Sequence, residues 1–367
     1  MRLAAIDLGT VTARLLIADV CDGVISERRR LMRITHLGEG LNETGIIGAP
    51  AIEREVRAYK DFLTAIAATE RDDGLPVECV SAVATSAMRD AANSGEVLAR
   101  LGEVGLEPAI IAGAREAELS FRGTLSGFAA GATPGRVVAL EDTTILTLDV
   151  GGGSTEVILG SFEGGRAVPR ILKGCSFNIG SQRVTDRFLA GNPPSPDELA
   201  SARAWVRAEM RGYFEGLTPC PQRVIAVAGT ATTAITVRDA TIDYDPWKVH
   251  GAVMTAEELT NMLNKLAYLD LAKRKLCPGL EPARASVIVG GLLVLEVALE
   301  LAGVDAFTVS ETDILHGILL DAYTTAVSRS SLCDEGSGEA EVAQDEVEGS
   351  SVGDTVEMSS HDDAANA

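Results

Sequence analysis

The sequence predicts an α/β protein of two lobes facing a cleft, and three observations lead there. Residues 145–160, ILTLDVGGGSTEVILG, read as a buried strand, a tight glycine loop and a returning strand. Residues 4–20, AAIDLGTVTARLLIADV, repeat the pattern. With Asp7 set on Asp149, the offset of 142 also brings Gly9 onto Gly151, Thr12 onto Ser154 and Arg14 onto Glu156. Elsewhere, short β-rich runs alternate with helical periodicity. Two copies of strand, Asp-x-Gly loop and strand indicate a duplicated fold, each lobe offering one turn to the cleft.

The turns have a chemistry of their own. Gly151, Gly152 and Gly153 let backbone N–H groups approach a ligand that a Cβ would block. Such N–H groups form an anion-binding concavity, to which the hydroxyls of Ser154 and Thr155 add donors. Asp149 and Glu156 bracket the loop and would repel a bare phosphate. A hard cation between carboxylate and phosphate oxygens reconciles the two facts, which suits Mg²⁺. A plain glycine hairpin is the competing reading, disfavoured by the paired carboxylates.

In chain order, residues 24–34 alternate as a strand with arginines at 28–30, and a glycine-rich connection enters a helix over 50–68. Residues 77–84 form a strand ending in TSAMRDAAN, where α/β folds place ligand contacts; Arg89 stands there. A short strand at 109–112 precedes a helix carrying Glu116. After the central hairpin come a strand over 166–172 and a helix bearing Arg183 and Arg187 on one face. The NPPSP stretch at 192–196 breaks the chain before a helix to about 216. Residues 223–233 read as a strand ending in a Gly-Thr loop, with Thr230 placed for a phosphate or a helix cap. Helices follow over 255–268, 284–301 and 312–327. Gly290-Gly291 marks close packing or a ligand approach. His250 and His316 lack companion metal ligands.

The formal net charge is −21, but eleven Asp or Glu and no Lys or Arg lie between Ser330 and Ala367, leaving the rest near −10. That tail reads as disordered. An acidic chain argues against general nucleic-acid binding. Six scattered cysteines without CxxC pairing indicate reduced thiols, and no signal layout or uncharged membrane-length run appears. A soluble, cytoplasmic protein is expected. The lobes are placed at 1–125 and 126–328, with the last helix returning to the first lobe, and the tail at 329–367.

Three phosphate-type loops on a duplicated frame point to the two-lobed actin-like class with sugar kinases and Hsp70. Within it, the chain resembles the exopolyphosphatase / guanosine pentaphosphate phosphatase family, of the short actinobacterial kind. AAIDLGTVTARLL, ATSAMRDAAN, IIAGAREAELSFRG, LDVGGGSTEV, SFNIGSQRVTDRF, AVAGTATT and KVHG carry the likeness, in family order. The resemblance implies Glu116 as catalytic base. It implies Asp149 and Glu156, with Asp7, as the acidic set for Mg²⁺ or Mn²⁺. It makes Gly9, Thr10, Thr12 and Arg14 the first phosphate loop, residues 151–155 the second, and Arg89 and Thr230 further contacts. Arg183 and Arg187 are candidates for subsequent phosphates. Val11 replaces an asparagine of the family loop, and Ala114 an acidic residue before the base. The implied substrates are inorganic polyphosphate or guanosine pentaphosphate, and a homodimer accords with the family. An actin-like ATPase or kinase and a non-catalytic sensor are the competing classes.

Overall fold

A computed structural model describes residues 1–128, 143–162 and 170–338, without the side chains of 162 and 330–338. The chain divides into two compact units, Met1–Thr324 and Thr325–Ala367, and both sheets belong to the first. One sheet comprises β1 (Arg2–Leu8), β2 (Thr12–Cys21), β3 (Val24–Ile34), β4 (Cys79–Ala84) and β5 (Ala109–Ile110), in the order β3-β2-β1-β4-β5. The other comprises β6 (Thr143–Val150), β7 (Thr155–Phe162), β8 (Arg170–Phe177), β9 (Arg223–Val227), β10 (Val253–Thr255) and β11 (Ala306–Val309), in the order β10-β11-β9-β6-β7-β8. Each sheet is an antiparallel meander extended by parallel strands, β1 pairing with β4 as β6 pairs with β9, and in the second sheet an antiparallel β10 forms the far edge. The sequence repeat is therefore also a repeat of topology.

The helices of the first half are α1 (Leu41–Thr44), α2 (Ala49–Asp73), α3 (Ser86–Asp90), α4 (Ser94–Gly102) and α5 (Gly113–Ser126). Then come α6 (Ser181–Phe188), α7 (Pro196–Glu215), α8 (Ala228–Arg238), α9 (Pro246–Val249), α10 (Ala256–Tyr268), α11 (Leu271–Arg274), α12 (Ile288–Ala302) and α13 (Ile314–Gly338). Strand alternation sends Ala4, Ile6 and Leu8 of β1 towards α2, and Leu3 and Ala5 to the face packed by Ile314, Leu315, Ile318 and Leu319 of α13. Asp7 shares the parity of Leu3 and Ala5, so it points to the α13 side. In the second sheet Ile145, Ile158, Ile225 and Val227 pack on Ala117, Phe121 and Leu125 of α5. Parity then puts Asp149 and Glu156 on the α5 side.

Helices α5 and α13 exchange partners: each follows one sheet in sequence and covers the other. Glycines allow them to cross. A Cβ on Gly123 would overlap the Asp313 carbonyl, and one on Gly317 the Leu119 carbonyl.

Three local expectations are corrected. Residues 228–233 are the first turns of α8 rather than a loop, because Ala228 adopts φ 66° and turns the chain from β9 directly into the helix. The strand expected over 166–172 is described from Arg170 and runs through Phe177, and residues 166–169 lie outside the described residues. The last helix continues to Gly338, since no proline interrupts the run, so the tail is helical through that point and residues 339–367 lie outside the described residues. Gly290 and Gly291 mark close packing, facing Ser181 O and Thr230 Oγ1. His250 stacks on Phe128 and His316 reaches Glu27, both within packed surroundings. Among the described residues no helix is long and apolar enough to cross a membrane.

Candidate active site

The two hairpin turns have the same backbone. Gly9 N donates to Thr12 O at 3.0 Å and Gly151 N to Ser154 O at 3.0 Å. The register places Asp7 opposite Arg14 in the first and Asp149 opposite Glu156 in the second. Both turns open on a cavity of about 1140 Å³ lined by Asp7, Gly9, Thr10, Thr12, Arg14, Glu116, Asp149, Gly151–Gly153, Ser154, Glu156 and Thr230. Glycine is required at the meeting point: a Cβ on Gly152 would lie 2.5 Å from Val11 Cγ2, and one on Gly153 2.5 Å from Thr10 Oγ1.

Glu116 enters from the first turn of α5, where the helix dipole favours a carboxylate. Arg89 Nη1 donates to its Oε2 at 2.6 Å and to Ile111 O at 3.0 Å, which fixes both side chains. Ser120, one turn on, donates to Asp149 Oδ2 at 2.5 Å, and Ser176 of β8 donates to Glu156 Oε1 at 2.7 Å. Both serines stand within motifs that carry the resemblance, IIAGAREAELSFRG and SFNIGSQRVTDRF, but no role was expected of them. Burial pushes Glu116 up to about 7 against the pull of Arg89, and Asp149 up to about 6. Glu156, 1% exposed, is pushed well above the carboxylate range by burial and then by Glu116 and Asp149.

Arg14 is shared. It donates to Asp7 Oδ2 at 2.5 Å and pairs with Asp313 at the start of α13. Burial works against its charge, and Asp313 and Asp7 outweigh that and hold it protonated. Asp313 would be raised by burial, but Arg14, His316 and Arg30 draw it below its ordinary range. Asp7 is raised by burial despite Arg14, and its Oδ1 is a buried acceptor with no hydrogen-bond partner. Arg284, unmarked by any motif, lines the same cavity, packs on Gly229, and is drawn down to about 10 by burial and by Arg14.

Some sequence-nominated residues face elsewhere. Thr155 is fully buried, its hydroxyl donating to Ile179 O at 2.5 Å, so its side chain serves the fold. Thr230 lines the cavity while donating to Val150 O at 3.2 Å. Arg187 stacks on Trp205, 4.6 Å from the ring centroid. Arg183 spends its donors on Gly153 O, Asn42 and Asp90. Neither arginine lines the cavity: helical spacing put their Cα atoms on one face, and their side chains turn in different directions.

A metal is testable on the donors present. Asp7, Asp149 and Glu156 offer hard carboxylate oxygens, and the partnerless Asp7 Oδ1 fits a cation. Among the described residues no three His, Cys, Asp or Glu side chains are gathered closely enough to hold a metal ion by themselves. An ion that keeps waters and takes substrate oxygens, as Mg²⁺ does, suits such an open arrangement.

A model of the Ppx/GppA phosphatase family matches residues 16–326. Exopolyphosphatase 2 of Mycobacterium tuberculosis is 35% identical over 334 residues, spanning 87% of this chain and 98% of the relative. Among solved structures, an exopolyphosphatase-like protein matches with a TM-score of 0.77 at 31% identity, covering 88% of this chain and 97% of its own. An exopolyphosphatase from Cytophaga hutchinsonii matches with a TM-score of 0.74 at 27% identity, over 88% and 98%. The duplicated sheets are thus those of the actin-like fold, and the chain belongs to the Ppx/GppA phosphatase family.

Proposed function

We propose that the protein is an exopolyphosphatase that hydrolyses the terminal phosphoanhydride of inorganic polyphosphate and releases orthophosphate. The observation that carries this reading is the buried cluster of Glu116, Asp149 and Glu156 facing two glycine turns in one cavity. The names of the relatives support it. The lobes are taken as 1–125 and 126–328, one per sheet.

The turns at Gly9–Thr12 and Gly151–Ser154 present N–H groups and hydroxyls to the terminal phosphates. Glu116, near 7, is matched to accept a proton from water at neutral pH. The water oxygen attacks the terminal phosphorus, the bridging P–O bond breaks, and the electron pair leaves with the shortened chain. Arg89 keeps the Glu116 carboxylate aimed. Arg14 and Arg284 set positive charge along the cavity wall, and the rest is positioning and electrostatic stabilisation. Asp149 and Glu156, with Asp7, would hold Mg²⁺ or Mn²⁺. Such an ion supplies the positive field that neutralises phosphate oxygens. Among the described residues five cysteines are free thiols, which accords with a cytoplasmic location.

The test is phosphate release from short polyphosphate, long polyphosphate, guanosine pentaphosphate and ATP, with Mg²⁺ and with Mn²⁺. Release from short polyphosphate, reduced about 10²- to 10⁴-fold in Glu116→Gln, is expected. Release chiefly from guanosine pentaphosphate would replace polyphosphate as the substrate, and wild-type turnover in Glu116→Gln would remove the base assignment.

A further inference from the structure

Helix α3 is little more than one turn long, yet its two charged residues serve different lobes. Arg89 turns inward to Glu116. Asp90 reaches across the cleft and accepts from Arg183 Nη2 on α6. The same guanidinium donates through Nη1 to Asn42 Oδ1 at 2.9 Å and through Nε to Gly153 O at 2.9 Å. Asn42 also donates to Asp186 Oδ2 at 3.3 Å, and Gln182 donates to the other oxygen of Asp186 at 2.6 Å. Arg183 therefore binds two acceptors from the first lobe and one from the turn that follows Asp149. That turn meets the first lobe directly as well, since a Cβ on Gly153 would lie 2.6 Å from Ser86 Oγ at the head of α3.

We propose that Arg183 is a positioning residue that latches the second glycine turn to α3, so that closure of the cleft is registered at Glu116 through Asp90 and Arg89. A planar guanidinium suits the task, because its donors diverge in a fixed fork and can hold three acceptors at set angles. When the lobes part, Arg183 loses Asp90 and Asn42 together, and α3 loses its only charged tie to α6 among the described residues. Arg89 then holds Glu116 on an unanchored turn. Substrate touching both glycine turns adds contacts only in the closed arrangement, and the latch weights that arrangement beforehand. The inference rests on the exopolyphosphatase reading for its kinetic readout alone.

Kinetics on a short polyphosphate with Mg²⁺ should show kcat lowered about 10- to 100-fold in Arg183→Ala and in Asp90→Ala, with KM changed less than about threefold, since misplacement by about an ångström has effects of that size. The double variant should lose no more than the worse single one, because both act through one pair. Arg183→Lys should recover part of the loss, and the milder Asn42→Ala should lose only a few-fold. Small-angle scattering with tripolyphosphate should show a larger radius of gyration in the variants than in wild type, at unchanged melting temperature. A raised KM in Arg183→Ala with a lowered KM in Asp90→Ala would overturn the proposal, making Arg183 a phosphate ligand restrained by Asp90. Additive losses, or scattering identical to wild type, would also overturn it. If wild type releases no phosphate from polyphosphate, the substrate reading fails, and the scattering comparison decides the latch by itself.

Discussion

The two hairpins that face the cleft share a turn, a register and an aspartate, and differ at the residue across the strand. In the first, Asp7 stands opposite Arg14, and the charges answer each other. In the second, Asp149 stands opposite Glu156, two buried carboxylates side by side, an arrangement that destabilises a sheet. Duplication accounts for the shared backbone, and the divergence of one position gives the two turns different electrostatics. The first hairpin pairs its aspartate with an opposite charge, and the second leaves two carboxylates facing each other, an electrostatic demand that a cation and substrate would meet. Natural active sites carry such local violations and compensate for them elsewhere in the fold.

The comparison breaks most sharply if the two hairpins respond alike to losing a carboxylate. Glu156→Gln should lower phosphate release about 10²- to 10³-fold. In metal-free buffer at pH 8 it should stabilise the fold by about 0.5–2 kcal/mol, because a buried like charge is removed. Asp7→Asn should lower activity about 10- to 100-fold. It should also destabilise by about 1–3 kcal/mol, since Arg14 loses one buried partner and keeps Asp313. Thermal melts of both variants check the opposed signs, and a common sign would erase the distinction.

The second expectation concerns pH. Glu116, Asp149 and Glu156 all have raised folded values, so the folded chain binds more protons than the unfolded one. Their favourable contribution is fully present below the ordinary values of about 4 and is lost as pH rises through 6 to 7. The metal-free melting temperature should therefore fall by a few degrees between pH 4.5 and 7.5, with a smaller fall in Glu156→Gln. Adding Mg²⁺ should raise it more at pH 7.5 than at pH 5, where protons occupy the same oxygens. Equal Mg²⁺ effects at the two pH values would place the ion away from this hairpin.

The smallest effect is expected at Arg187. Arg187→Ala should leave kcat and KM within about twofold and lower stability by about 0.5–1 kcal/mol through the lost stacking on Trp205. A large rise in KM would return it to the substrate path.

The fold was legible because strand–glycine–strand patterns are local and the 142-residue offset aligns four positions at once. Asp149 and the glycine turns were legible for the same reason, whereas Glu116 stands on a helix outside the repeat and only the family resemblance singled it out. What escaped depends on distant pairing. Ser120 and Ser176 matter only because α5 and β8 flank the hairpin, and Asp313 only because α13 returns to β1 and β2. The start of α8 was misread because an alanine at φ 66° carries no sequence signal of a left-handed turn. Arg183 and Arg187 show the limit of periodicity, which places Cα atoms and leaves the side-chain direction to the partners available.

The crossing of α5 and α13 has a mechanical consequence. Gly123 and Gly317 seat each helix against the backbone of the other, leaving neither room to slide, so any turning of one sheet against the other is expected to pivot near this crossing. Points near an axle travel least. Glu116 and Ser120 lie on the same rigid helix as Gly123, within about two turns of it. If the lobes turn about this crossing, the backbone of Glu116 moves little, and what opening changes is the hold of Arg89 on its carboxylate.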